Sequence, residues 1–293
     1  MKSGYVALVG RPNVGKSTLL NHLIGQKISI TSRRPQTTRH RIHGIKTTEA
    51  GQAVFVDTPG IHASQKRAMN RYLNQTAGSA LLDVDLIVWI VDRPAWLPED
   101  ELVLERIKDS GIPVILAINK VDRIEDKATL LPFLESAQAL HPFMAMIPIS
   151  ALKGGNLDVL ERQIMKLLPE GEPIFAEDQL TDRSERFLAA EIIREKLLRT
   201  LGQEVPHALS VEIEQFKVEG NLTRIAALIW VERDGQKAIV IGHKGEVLKK
   251  VGERSRLDLE RLLDGKVFLQ LWVKVKENWS DDERALRSLG YAE

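Results

Sequence analysis

Up to about residue 168 the chain repeats one rhythm: a run of four to six apolar residues, then a longer stretch with apolar positions at helical spacing. The short runs are YVALV (5–9), AVFV (53–56), LIVWIV (86–91), PVILAI (113–118) and MIPI (146–149). Runs this short and this continuous read as strands buried on both faces. With helical stretches near 16–24, 66–82, 99–110, 126–140 and 156–168 between them, they predict a mostly parallel α/β sheet. A further strand near 41–48 is expected to pair with 52–56 as a hairpin around Glu49-Ala50-Gly51.

The rhythm then changes. PEGEPIFAEDQLTDR (169–183) holds two prolines and five acids and reads as a linker. Asp182-x-x-Glu185 is suited to capping the helix that follows, whose apolar positions 187, 188, 192, 197, 198 and 201 share a face until Gly202. Alternating strands are expected near 208–216 and 224–232, then helices on either side of GHKG (242–245), then a strand at 267–275. The predicted division is 1–170, a linker at 171–181, and an α+β domain at 182–293.

Composition changes little in this picture. The 293 residues are enough for two domains, and 43% hydrophobic with 28% charged residues is ordinary for a soluble protein. No cysteine is present, which excludes disulfides and thiolate metal sites. The start, MKSGYVALVG, reads as a first strand rather than a leader, and LIVWIV is too short to span a bilayer. A cytoplasmic monomer is the expectation. Net charge is +1, but residues 233–256 carry seven Lys/Arg against three acids, clustered around GHKG.

The chemistry lies at the strand ends. GRPNVGKS follows one strand and opens a helix, the context that a phosphate loop requires. Gly10, Arg11, Pro12, Asn13, Val14, Gly15, Lys16, Ser17 and Thr18 would form that loop, with backbone N–H groups from about Asn13 to Thr18 wrapping the β-phosphate at a helix N-terminus. Lys16 would bridge the β- and γ-phosphates, with Ser17 on Mg²⁺. After the AVFV strand come Asp57, Thr58, Pro59 and Gly60; Asp57 would hold Mg²⁺ and the Gly60 N–H would sense the γ-phosphate. Asn119, Lys120, Val121 and Asp122 end the PVILAI strand. A carboxylate at 122 accepts both donors of the guanine edge and has no such partner on adenine, so the base read is guanine. Asn119 would reach the base N7 edge, the Lys120 stem would pack on the ring, and Ser150-Ala151 would set the Ala151 N–H near guanine O6. RRPQTTRHR (33–41) suits a switch loop whose threonine joins Mg²⁺ when the γ-phosphate is present, Thr38 first and Thr37 as the alternative. A solvated basic loop is the plainer reading.

Together these stretches resemble the Era family of bacterial GTPases along essentially the whole chain. The carrying segments are GRPNVGKSTLLN (10–21), KISITSRRPQTTRHRI (27–42), FVDTPGIH (55–62), NKVD, TDRSERFLAAEIIREKL (181–197), VIGHKG (240–245) and LWVKVK–W–DDERALRSLGY (271–291). The resemblance implies a P-loop GTPase domain followed by a type II KH domain. It also implies slow GTP hydrolysis, 16S rRNA and the 30S ribosomal subunit as partners, a role in subunit assembly and rRNA maturation, and peripheral contact with the inner membrane. RNA contact is carried onto Gly242, His243, Lys244 and Gly245, with Ile241 in the groove and Lys249 and Lys250 at its rim. Asn13 resembles an asparagine that coordinates a potassium ion in some such GTPases; as a plain turn residue it would also fit. Ile61 stands where Ras-like enzymes have a water-positioning glutamine, a departure that Era-like proteins share. The rival reading is a GTPase whose second half docks onto protein or membrane.

Overall fold

The computed structural model describes residues 1–32, 34, 36–60, 68–79, 83–92, 96–201 and 209–291. They form two units, each with its own core.

The first unit is built on a six-stranded sheet in the order β2-β3-β1-β4-β5-β6, from β1 (Lys2–Val9), β2 (Ile42–Thr48), β3 (Gly51–Asp57), β4 (Leu86–Val91), β5 (Val114–Ile118) and β6 (Ala145–Pro148). Only β2 runs antiparallel, paired with β3 from Ile42↔Asp57 to Thr48↔Gly51. Every residue of β4 and β5 is buried, which is why their sequences are unbroken apolar runs. On one side α3 (Pro98–Ser110) and α4 (Leu130–Leu140) close over β4 and β5 through Val103, Ile107, Phe133 and Ala137. α1 (Lys16–Ile24) packs on β2 and β3, and α5 (Leu157–Leu167) on β1, β3 and β6. The strand order reverses at β1, so the loops after β1, β3, β4 and β5 open at one end of the sheet. In open α/β sheets that is where ligands bind.

The stretch read as a linker is fastened along this sheet. Gly171 N–H bonds to Met1 O, Gln52 Oε1 accepts from the N–H groups of Ile174 and Phe175 at 2.7 and 2.9 Å, and Ile45 N–H bonds to Leu180 O. Asp182 ends this run by accepting from His43 N–H at 3.1 Å. It therefore does not cap the next helix. That position belongs to Ser184, whose Oγ accepts from Phe187 N–H ahead of α6 (Glu185–Thr200).

The second unit holds residues 183–291, the segment around 30–37 and the first turn of α2 (Ala68–Ser79). Its sheet is β7 (Leu209–Glu219), β8 (Leu222–Val231) and β9 (Lys266–Val275), with β7–β8 antiparallel and β8–β9 parallel. α6, α7 (Asp234–Ile241) and α8 (Glu246–Leu262) supply the other half of one core through residues such as Ile193, Leu197, Val240, Val251 and Leu259. α6 is buried on its charged side as well. Arg194 grips Glu191 with two bonds of 2.7 Å and donates to the Thr37 carbonyl, and Glu195 accepts from the Thr31 N–H at 2.9 Å. Bidentate pairing of this kind is what lets two charges leave water together. Three residues past a short helix, α9 (Glu283–Ser288), Tyr291 stacks on buried Trp279.

Candidate functional site

The turn from β1 into α1 requires glycine twice. Gly10 and Gly15 have φ of +149° and +109°, and a Cβ at either would collide, with Ile90 O and with the Asn119 amide respectively. Asn13 also adopts a left-handed conformation, φ +66°. Lys16 is buried and donates from Nζ to the carbonyls of Gly10 at 2.8 Å and Arg11 at 3.1 Å. Burial lowers its pKa to about 8, against the pull of Asp57 and with the help of Arg11. A bound phosphate favours the charged form, so nucleotide binding restores the proton. GTP affinity is accordingly expected to fall as pH rises through 8, and near pH 8 binding takes up roughly half a proton. Calorimetry in buffers of different ionisation enthalpy measures this directly; zero uptake would show that Lys16 is already charged.

Beside the lysine four oxygen-bearing side chains converge. Ser17 Oγ lies 2.8 Å from Asp57 Oδ2 and 2.9 Å from Thr38 Oγ1, and Ser29 Oγ donates to the same carboxylate oxygen at 2.8 Å. Asp57 Oδ1 is buried without a hydrogen-bond partner, and burial raises the carboxyl pKa against the Lys16 charge and the serine bonds. An unpartnered carboxylate oxygen between hydroxyls fits a hard cation. One carboxylate with hydroxyls, leaving room for water and phosphate, matches Mg²⁺ better than a cage made only of protein. No cluster of three His, Cys, Asp or Glu occurs among the described residues. Thr37 turns instead toward Ser32 Oγ and Arg34 O. Thr58 and Pro59 are buried, Thr58 bonding Leu8 O, and a Cβ at Gly60 would lie 2.8 Å from Pro12 Cγ. Ile61 lies outside the described residues.

At the end of β5, Asn119 Nδ2 donates to Val14 O at 2.7 Å, and its Oδ1 accepts from the N–H groups of Lys120 and Ala151 at 2.8 and 2.9 Å. The two groups read as facing the base edge thus bond to each other and to the phosphate loop. Asp122 is exposed, and Ser150 Oγ holds its Oδ1 at 2.6 Å. The Lys120 ammonium reaches Asn13 O at 2.8 Å, laying its stem between the two motifs. Val121 begins a single 3₁₀ turn that displays Asp122.

In the second unit, GHKG joins α7 to α8. Gly242 has φ +74°, ψ 175° and a Cβ there would collide with Val247, so the turn itself demands this glycine. Gly245, at φ +82°, has nothing within 4 Å of where its Cβ would be. It presents bare backbone outward. His243, Lys244, Lys249 and Lys250 are exposed around it, while Ile241 and Val247 pack partly against the core.

Known proteins share both halves. A family described as a 50S ribosome-binding GTPase matches residues 5–120, and a KH domain family matches 204–280. GTPase Era from Pseudomonas aeruginosa is 60% identical over 292 residues, covering 100% of this chain and 96% of the relative. The relative from Pseudomonas fluorescens is equally similar, also 60% over 292 residues. The chain belongs to the Era family of GTPases. A crystal structure of Aquifex aeolicus Era Y63A bound to GDP·AlF₄⁻ superimposes with a TM-score of 0.96 at 44% identity, and each chain is covered in full. A structure of Era in complex with MgGDPNP and nucleotides 1506–1542 of 16S ribosomal RNA matches to the same degree.

Some residues of this Era-family site escape a sequence reading. Asp92, directly after β4, pairs with Arg11 of the phosphate loop and with Lys120 Nζ at 2.7 Å. Asp100 lies 3.5 Å from Arg11 Nε, and burial raises its pKa against that arginine. Asn21 of α1 ties down residues 28 and 29, accepting from both N–H groups at 2.9 Å. The one available signal for Asp92 was a carboxylate directly after an apolar run, at the same end of the sheet as Asp57 and Asn119.

Proposed function

We propose that this GTPase, with Mg²⁺ held by Ser17, Thr38 and Asp57 alongside the nucleotide phosphates, is a switch that binds single-stranded 16S rRNA through GHKG. Its role in this reading is 30S subunit assembly and maturation of that rRNA. Lys16 and the oxygen set supply the positive field on which phosphoryl transfer depends. With isoleucine at 61, turnover is slow. Asn13 is the residue assigned to a potassium ion. The same reading makes the chain a cytoplasmic monomer that meets the inner membrane surface peripherally. No helix among the described residues is long and apolar enough to cross a membrane.

The observation that carries the RNA half is the open backbone at Gly245, flanked by exposed lysines, in a chain matched end to end by a relative holding a 16S rRNA segment. A type II KH turn lets a nucleic-acid backbone approach closer than a side chain would permit. Crosslinking in cells with the GTP-bound protein, followed by sequencing of the attached RNA, tests it. Reads should concentrate in the small-subunit rRNA around nucleotides 1506–1542. Recovery of protein or scattered RNA alone would overturn the reading.

A further inference from the structure

α8 begins at the GHKG loop and carries a second pattern beyond it. Lys250, Arg254, Leu257 and Arg261 follow at intervals of four, three and four residues, so they share one face of the helix. The stripe runs about 16 Å at 1.5 Å per residue. Toward its far end Lys196 and Arg199, three apart on α6, stand opposite. These elements line a cavity of about 260 Å³ formed by Lys196, Arg199, Arg254, Leu257, Asp258 and Arg261.

A stripe of charge on a helix is most often just a solvated face. Three observations separate this one from that case. It is concave. The four cations lining the cavity are only half compensated, by two acids: Lys196 pairs with Glu195 and Asp258, Arg199 with Glu195, and Arg261 with Asp258. Arg254 makes no ion pair among the described residues, although it is exposed and lines the cavity. With Asp258 itself in the lining, the hollow keeps an excess of positive charge, which a further anion entering it would offset. The stripe is also continuous with the rim lysines of the KH turn.

We propose that this α6–α8 face is a phosphate track, taking the sugar-phosphate backbone of RNA that continues past the GHKG groove. The proposal rests on the RNA reading above. A KH turn clamps about four nucleotides. The segment held by the relative, nucleotides 1506–1542, is far longer, so most of such a strand must lie elsewhere. Recognition here is by charge, without base contacts, and adds affinity that depends on length and salt.

The test pairs the double variant Arg254→Ala, Arg261→Ala with nested fragments of nucleotides 1506–1542, measured by fluorescence anisotropy over a salt series. Wild-type affinity should rise with fragment length. The variant should bind the shortest competent fragment as the wild type does, yet bind the full segment at least tenfold more weakly. Its slope of log K against log salt should be shallower by about 1.4, the value for two phosphate contacts on a single strand. GTP hydrolysis should not change. Equal affinity and slope on the full segment would overturn the track. So would loss confined to vesicles containing anionic lipid, which would make the stripe a membrane surface. If the wild type binds no fragment at all, the RNA reading itself falls, a different result from either.

Discussion

Asp122→Asn should weaken GTP binding by roughly 10²- to 10⁴-fold, at about 1.5–3 kcal/mol for each of two hydrogen bonds to a charged group. The geometry makes this a clean substitution. Ser150 Oγ already engages Oδ1 at 2.6 Å, and an asparagine carbonyl can keep that bond. The new amide then occupies the place of the second carboxylate oxygen and offers a donor where guanine also offers donors. Xanthosine triphosphate, with a 2-oxo group there, should gain what GTP loses. Calorimetric titration with both nucleotides decides it, and an unchanged GTP affinity would remove Asp122 from base recognition.

Gly245→Asp should abolish measurable RNA binding, a loss of at least about 100-fold, since a like charge brought against phosphate costs several kcal/mol. The side chain has room, with nothing within 4 Å, so the fold tolerates it. The backbone tolerates it less well. At φ +82° a non-glycine residue costs roughly 1–2 kcal/mol, which lowers the thermal midpoint by several degrees. Gly245→Ala carries the same strain without the charge and separates the two effects: a similar midpoint, a smaller loss of RNA. GTP hydrolysis should match the wild type in both, because the loop belongs to the unit that lacks the guanine motifs. RNA binding that survives in the folded aspartate variant would reduce GHKG to a turn.

Both targets could be named from sequence because their chemistry is local. A phosphate loop, D-x-x-G and N-K-x-D each place their residues within a few positions of one strand end, and fully buried strands announce themselves as apolar runs. Asp92 was hidden because its partners, Arg11 and Lys120, lie on other strand ends, and nothing in the sequence around Asp92 points to either. α6 misled in the opposite direction. Its apolar face was visible, but Glu191, Arg194, Glu195 and Lys196 are buried too, because residues 31 and 37 come to meet two of them. Helical periodicity cannot report a partner that arrives from so far along the chain. The cap went to Ser184 instead of Asp182 for a similar reason: His43, from β2, had already engaged the aspartate.

Asn119 has a practical consequence for anyone wishing to rewire this switch. It spends its amide on the phosphate loop, its own neighbour and the segment closing β6, so those three pieces are cast as one block. Asp122, bonded to a serine hydroxyl, is the position whose exchange should address the protein with an orthogonal nucleotide in a cell full of GTP. An exchange at Asn119 would loosen the casting itself, and the altered protein would report on damage, not on preference.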